Sequence, residues 1–207
     1  MQIHFLNIIF PALYHPTIRN LRKFVLLVYL FHLALSSNSQ NDKGVQLMEA
    51  VRSNDTIMVQ ELLVNKNLLT YYDNEGYTAL NRAVQLANPD IVRILLQSGA
   101  YVNSTTKENL FTPLILAVKQ HHLGITKQLL SHKADVNLTD SAGRTPLIWC
   151  AINNDYEILP WLIKYGADLN KTTHYGNTAL EMACWKKSQV SALILIIRGA
   201  EINTQSS

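Results

Sequence analysis

GRTPLIWCA, residues Gly143 to Ala151, joins a helix start to a run that no isolated helix can bury. Thr145 offers a side-chain oxygen to cap a free backbone N–H, and Pro146 suits the first helical position because the N–H it lacks had no partner there. Leu147, Ile148, Trp149, Cys150 and Ala151 follow with no polar residue between them. A helix that is apolar around its whole circumference needs neighbours on more than one side. The rest of the chain has to supply them.

Self-similarity supplies them. Thr78, Thr112, Thr145 and Thr178 recur at intervals of 34, 33 and 33 residues, and Ala100, Ala134, Ala167 and Ala200 repeat the same intervals. An apolar pair follows each Thr at a fixed distance: Leu95 and Leu96, Leu129 and Leu130, Leu162 and Ile163, Leu195 and Ile196. These pairs belong to a second helix in each unit. Every unit then closes on a turn and a short extended piece, SGAYVN, HKADVN, YGADLN or RGAEIN. The predicted unit is a helix, a second helix and a hairpin, repeated.

This unit resembles the ankyrin repeat family, whose motifs are a T-P-L-H-x-A helix start and a G-A-D-V-N exit. Thr112-Pro113-Leu114 with Ala117 matches the start, and Thr145-Pro146-Leu147 matches it with Cys150 in the Ala position. Gly166-Ala167-Asp168-Leu169-Asn170 matches the exit. The resemblance covers residues 45–203. Counting back one period from Thr78 reaches Val45, where Leu47, Ala50, Leu62 and Leu63 fall on the expected positions without a Thr cap or a closing Gly. The implied fold is an all-α ankyrin-repeat solenoid of helix-turn-helix units with β-hairpin turns. It has a degenerate N-terminal cap and four fuller repeats, at about 45–77, 78–111, 112–144, 145–177 and 178–203 of a domain 45–207. Stacking then answers the opening question, because Leu147 to Ala151 packs against the equivalent helices on either side.

Two departures from the family pattern carry expectations. The His of T-P-L-H is replaced by Asn81, Ile115, Ile148 and Glu181, so a hydrogen bond from that His to the next repeat is not carried over. One hairpin gains a residue, Lys107 to Leu110, where its neighbours have Gly76, Gly143 and Gly176. Its tip is predicted to be irregular.

Composition and charge set the class. The 207 residues are 48% hydrophobic and 16% charged, enough for one sizeable core with a tail. The net +3 comes wholly from Arg19, Arg22 and Lys23, which leaves residues 37–207 formally neutral. A neutral body lacks the basic footprint that phosphate backbones require, so nucleic acid is not an expected partner. Those three cations precede FVLLVYLFHLAL, Phe24 to Leu35, and then the polar SSNSQNDKG. Basic, apolar, small and polar in that order is the pattern of a secretory signal, with a cleavage site before Ser37. Twelve helical residues span about 18 Å, short of a bilayer, so residues 1–36 read as a signal peptide, or as a signal anchor if uncleaved, with 37–44 as a linker. The membrane is an expected partner only in the uncleaved case.

Four glycosylation sequons begin at Asn54, Asn103, Asn137 and Asn170, and the last three lie in exit hairpins where glycans would disturb the stack. That favours a bacterial periplasm or exterior over a glycosylating lumen, with a membrane-anchored or secreted protein as the alternatives.

Nothing in the sequence carries catalytic chemistry. No nucleophile elbow, phosphate loop or H-E-x-x-H occurs. Adjacent His121 and His122 would point about 100° apart on a helix with no ligand at a metal-binding interval, and they are expected to be surface residues in a helix–helix turn. No catalytic residue, cofactor or metal is assigned. Cys150 and Cys184 fall on the first helices of adjacent repeats, too far apart for a disulfide, and both are expected to be buried thiols. Trp161 and Trp185 are expected to pack on the second and first helices. VSALILII, Val190 to Ile197, is expected to give four side chains to its own repeat's core and to leave an apolar edge, with cover by a partner as the alternative.

Members of the family bind other proteins on a concave face, so the resemblance implies a protein partner, for a monomer or a member of a hetero-complex. The residues before the Thr caps and four after them would line that face: Tyr77, Phe111 and Arg144 at the tips, and Arg82, Leu116, Trp149 and Met182 on the first helices, with His174 and Tyr175 extending the last tip. Aromatic residues and Arg are the types that dominate binding energy at interfaces. The expected function is a non-catalytic binding protein, a periplasmic inhibitor, immunity or escort protein, with a secreted effector that binds a host protein as the alternative and, from another class, an enzyme with an unrecognised site.

Overall fold

A computed structural model of the protein describes residues 41–202. The expected leader at 1–36 lies outside the described residues. Apart from the first residues of its first helix, the described structure belongs to the compact unit Lys43–Ser207.

Each repeat is a pair of short helices. The first repeat has α1, residues 41–52, and α2, Thr56–Leu62, followed by a 3₁₀ turn at Lys66–Thr70. The second has α3, Ala79–Gln85, and α4, Pro89–Gln97; the third has α5, Pro113–Lys119, and α6, Leu123–Ser131. The fourth has α7, Pro146–Asn153, and α8, Leu159–Lys164, and the fifth has α9, Ala179–Trp185, and α10, Gln189–Ile197. The four Thr residues that reveal the period are the N-caps of α3, α5, α7 and α9, each accepting the backbone N–H three residues on. Thr178 goes further and forms a capping box with Glu181.

Helices this short have little stability of their own, and stacking supplies the rest. α3, α5, α7 and α9 pack in sequence, and α2, α4 and α6 pack behind them. Leu147, Ile148, Cys150 and Ala151 are completely or almost completely withdrawn from solvent, as are Leu80, Leu114, Ile115 and Leu129. The hairpins are small: Tyr72 and Thr78 form an isolated antiparallel bridge, and no strand occurs among the described residues.

Backbone hydrogen bonds tie tip to tip, from Lys107 N–H to the Gly76 carbonyl at 3.2 Å, Ser141 to Asn109 at 3.0 Å and His174 to Ala142 at 3.1 Å. Asparagine side chains add a second ladder. Asn103, Asn137 and Asn170 each accept a backbone N–H of the following repeat, from Asp135, Asp168 and Glu201 at 2.9 to 3.0 Å. The sequon asparagines of the exit hairpins are thus structural joints.

Where the family motif has His, Asn81 restores a cross-repeat connection. It is fully buried, its Nδ2 donates to the carbonyls of Ser104 and Phe111 at 3.2 and 3.4 Å, and its Oδ1 accepts from Ser104 Oγ at 3.0 Å. The irregular hairpin is also present. Leu110 holds φ at 54°, in the left-handed region that Gly76 and Gly143 occupy in their turns.

Two expectations need correction. Cys150 is buried, but Cys184 is exposed, on a side of α9 that no further repeat among the described residues covers. Trp185 is 74% exposed for the same reason and is not a packing residue. As expected, His121 and His122 lie in the turn between α5 and α6, and His121 Nδ1 is 3.0 Å from Asp155 of the next repeat. The apolar edge is confirmed in detail: of α10 only Ser191 and Leu195 are buried, while Val190, Leu193, Ile196 and Ile197 face solvent.

Candidate functional site

The site is built around a buried carboxylate in the hairpin that leads into the fourth repeat, Asp140 to Arg144. Asp140 closes the tip by donating its N–H to the Arg144 carbonyl at 3.0 Å. Its Oδ1 accepts the N–H groups of Ala142 and Arg144, both at 2.9 Å. Its Oδ2 accepts Arg144 Nε at 2.8 Å and Trp149 Nε1 at 3.1 Å. The Asp140 side chain has no exposed surface, so one carboxylate fixes a hairpin, a guanidinium and an indole together.

That arrangement lays Arg144 over Trp149, with Cζ 4.2 Å from the ring centroid. Lys119, at the end of α5, brings a second cation to the same ring: Nζ is 5.2 Å from the Trp149 centroid and 4.5 Å from that of Phe111. Phe111 and Trp149 meet edge to face at 6.3 Å. The third and fourth repeats are therefore joined by two aromatic rings flanked by two cations. Lys119 is exposed, and among the described residues it has no acidic partner.

The hairpin that leads into the second repeat, Asp73 to Tyr77, solves the same problem differently. Arg82 is only 6% exposed and pairs with Asp73, through Nε at 3.2 Å and also through a terminal nitrogen. Its other terminal nitrogen donates to Gln85 at 2.7 Å, its Cζ stacks 4.3 Å from the Tyr77 centroid, and Arg52 joins from the first repeat at 3.1 Å. Burial pushes the Asp73 carboxyl up, but hydrogen bonds from the Tyr77 N–H, the Arg82 guanidinium and the Glu75 N–H outweigh it and hold the group below its ordinary 3.8. Burial likewise works against the charge on Arg82, and the Asp73 and Glu75 carboxylates outweigh it and raise that group. This network is satisfied internally. In the hairpins that lead into the third and fifth repeats Thr replaces Asp: Thr106 Oγ1 accepts the Phe111 N–H at 3.0 Å, and Thr173 Oγ1 accepts those of Tyr175 and Asn177 at 3.3 and 3.2 Å.

The expected site residues therefore divide. Leu116, Phe111 and Arg82 are buried and build the face from below. Tyr77, Arg144 and Met182 are half-buried, Trp149 shows only an edge at 9%, and His174 and Tyr175 are exposed, Tyr175 at 82%. Sequence reasoning missed Lys119, Asp140 and Leu110. Lys119 lies three residues after Leu116 and thus on the same side of α5, a spacing that marks it. Asp140 has a weaker signal, the recurrence of Asp five residues before the Thr cap at Asp73 and Asp140. Among the described residues no group of three or more His, Cys, Asp or Glu side chains is placed to hold a metal ion. No helix among them is long and apolar enough to cross a membrane.

The profile of the family described as ankyrin repeats (3 copies) matches residues 23–106 and 114–206. The chain belongs to the ankyrin repeat family. An ankyrin repeat protein of Acanthamoeba polyphaga mimivirus is 32% identical over 148 residues, covering 72% of this chain and 19% of that protein. One of fowlpox virus is 38% identical over 143 residues, covering 63% of this chain and 40% of that protein. Alpha-latrotoxin-Lhe1a of Latrodectus hesperus is 34% identical over 110 residues, covering 51% of this chain and 8% of the toxin. The chain thus spans less than half the length of each of these relatives. Ankyrin repeats generally mediate protein–protein interaction and generally serve as non-catalytic binding modules. The satisfied network around Asp73 and the stacked cations around Trp149 are two ways in which these ankyrin repeats present a rigid surface.

Proposed function

We propose that this protein is a non-catalytic module that holds a protein partner along its hairpin tips and first helices, the face that is concave in ankyrin solenoids. The observation that carries the reading is the Arg144–Trp149–Lys119 stack, in which rigid aromatic and cationic groups, anchored by a buried carboxylate, stand at the junction of two repeats. Interfaces draw most of their energy from such preorganised aromatic and Arg anchors. Tyr175 extends the surface on the next tip.

In this reading the order of basic, apolar and polar residues across Arg19 to Gly44 exports the chain, and the mature protein inhibits or escorts a partner in the periplasm. A second reading, a secreted effector that binds a host protein, draws support from the likeness to proteins of two viruses. Intact mass in separate cell fractions tests the export step, with a species beginning at Ser37 as the expected product.

The binding step is tested by affinity purification from the native host with the wild-type chain and with Tyr175→Ala and Lys119→Ala. Both substitutions are at exposed positions and leave thermal unfolding unchanged. Proteins held by the wild type and lost with both variants support the face assignment. An identical set with all three chains removes it.

A further inference from the structure

Lys119 and Arg144 come to one indole from two different elements, the end of α5 and the hairpin before α7, and the carboxylate paired with Arg144, Asp140, is buried and already accepts four N–H groups. Arg144 uses Nε on Asp140, and its terminal nitrogens have no acceptor among the described residues. Lys119 has ring faces for neighbours and no acid. Two cations held beside one ring repel each other, and the π system offsets only part of that repulsion. A negative charge arriving from outside relieves it.

The neighbouring tip adds an apolar contact. Leu110 is 45% exposed and holds the left-handed backbone that the other hairpins give to glycine, with φ of 54° against 78° and 77° for Gly76 and Gly143. A left-handed conformation is strained for Leu, and a side chain this exposed recovers little burial within the repeats. Leu110 immediately precedes Phe111, whose ring lies under Lys119.

We infer that the junction of the third and fourth repeats binds an acidic peptide segment, with an Asp or Glu carboxylate received by Lys119 and Arg144 and an adjacent apolar side chain set against Leu110. The inference rests on the reading of this face as a protein-binding surface. Trp161 provides an internal control, since Lys127 and Lys164 stack on it at 4.4 and 5.1 Å from the second helices, away from the tips.

The test is a synthetic array of short peptides in which acidic, basic and apolar residues are varied, probed with the full chain. Peptides that pair Asp or Glu with Leu or Phe are retained, and retention falls as salt is raised. Lys119→Glu lowers it by about tenfold, Lys119→Arg preserves it, and Lys127→Glu leaves it unchanged. Retention without preference for acids, no retention at all, or equal losses for Lys119→Glu and Lys127→Glu overturns the inference. Retention of non-acidic peptides that Tyr175→Ala still abolishes would overturn it while leaving the binding face in place. Retention indifferent to Lys119→Glu, Leu110→Gly and Tyr175→Ala alike would remove the face itself.

Discussion

Trp149 Nε1 donates to Asp140 Oδ2 at 3.1 Å, so the indole on the first helix of the fourth repeat is held by the hairpin that precedes it. The same carboxylate accepts from Arg144 Nε and from two backbone N–H groups. Asp140→Ala leaves all of these donors without their acceptor. Urea unfolding should show a loss of about 3 kcal/mol, accompanied by a red-shifted tryptophan emission as the ring loosens. Asp140→Asn keeps one acceptor oxygen and loses about half as much.

Asn81 and Ser104 form a buried polar pair between α3 and the start of the hairpin that leads into the third repeat. The corresponding positions one repeat on are Ile115 and Leu138, and both are apolar. The pair should therefore change together. Asn81→Ile alone leaves the carbonyls of Ser104 and Phe111 without their amide donor, leaves the Ser104 hydroxyl to Thr78 Oγ1 at 3.2 Å, and costs about 2 kcal/mol. Adding Ser104→Leu restores at least about 1 kcal/mol of that, and a double-mutant cycle in urea measures the coupling. Simple additivity of the two losses would contradict the pairing.

Asp73 sets an acid limit on stability. Its carboxyl is held below 3.8 in the folded chain, whereas in the unfolded chain it titrates near that value. The unfolded state thus takes up the proton first on acidification. The stabilising contribution is fully present above about pH 5, and it is lost as the pH falls past 3.8 and through the lower folded value. Asp73→Asn removes this part of the acid dependence. A stability–pH curve from pH 2 to 6 that keeps the same slope in the variant would rule it out.

Leu110→Gly should raise stability by about 0.5 kcal/mol, because relief of the left-handed strain exceeds the entropy that glycine adds to the unfolded chain. The same change should weaken the capture of acidic and apolar peptides. Opposite signs in thermal unfolding and in peptide retention distinguish a residue kept for binding from one kept for folding.

Position along the repeat explains the exposed side of α10. Leu193 corresponds to Arg93 and Lys127, and Ile197 to Gln97, Ser131 and Lys164, all outside the core. Leu193→Arg with Ile197→Lys should change stability by no more than about 0.5 kcal/mol and should raise the concentration at which the protein aggregates, measured by light scattering.

The sequence by itself determined the architecture. A period carried by Thr caps and paired apolar residues is local chemistry repeated, so Thr145, Pro146 and the run to Ala151 declare both a helix and its need for neighbours. It also marked the tip at Lys107 to Leu110 as irregular, since the extra residue and the missing Gly are visible without coordinates, whereas the left-handed backbone of Leu110 is not. Only the tertiary structure decided which side chains remain available. Leu116, Phe111 and Arg82 occupy the same kind of position as Arg144 and Met182, yet they are buried while the others are half-exposed. The difference depends on what the adjacent repeat places above each one: Asp73 draws Arg82 inward, whereas Asp140 holds Arg144 flat on Trp149. Contacts between repeats join residues some 30 positions apart, and neither a helical nor a strand period encodes which partner meets which. The cation pair at Trp149 and the cross-repeat bond of Asn81 are products of that stacking.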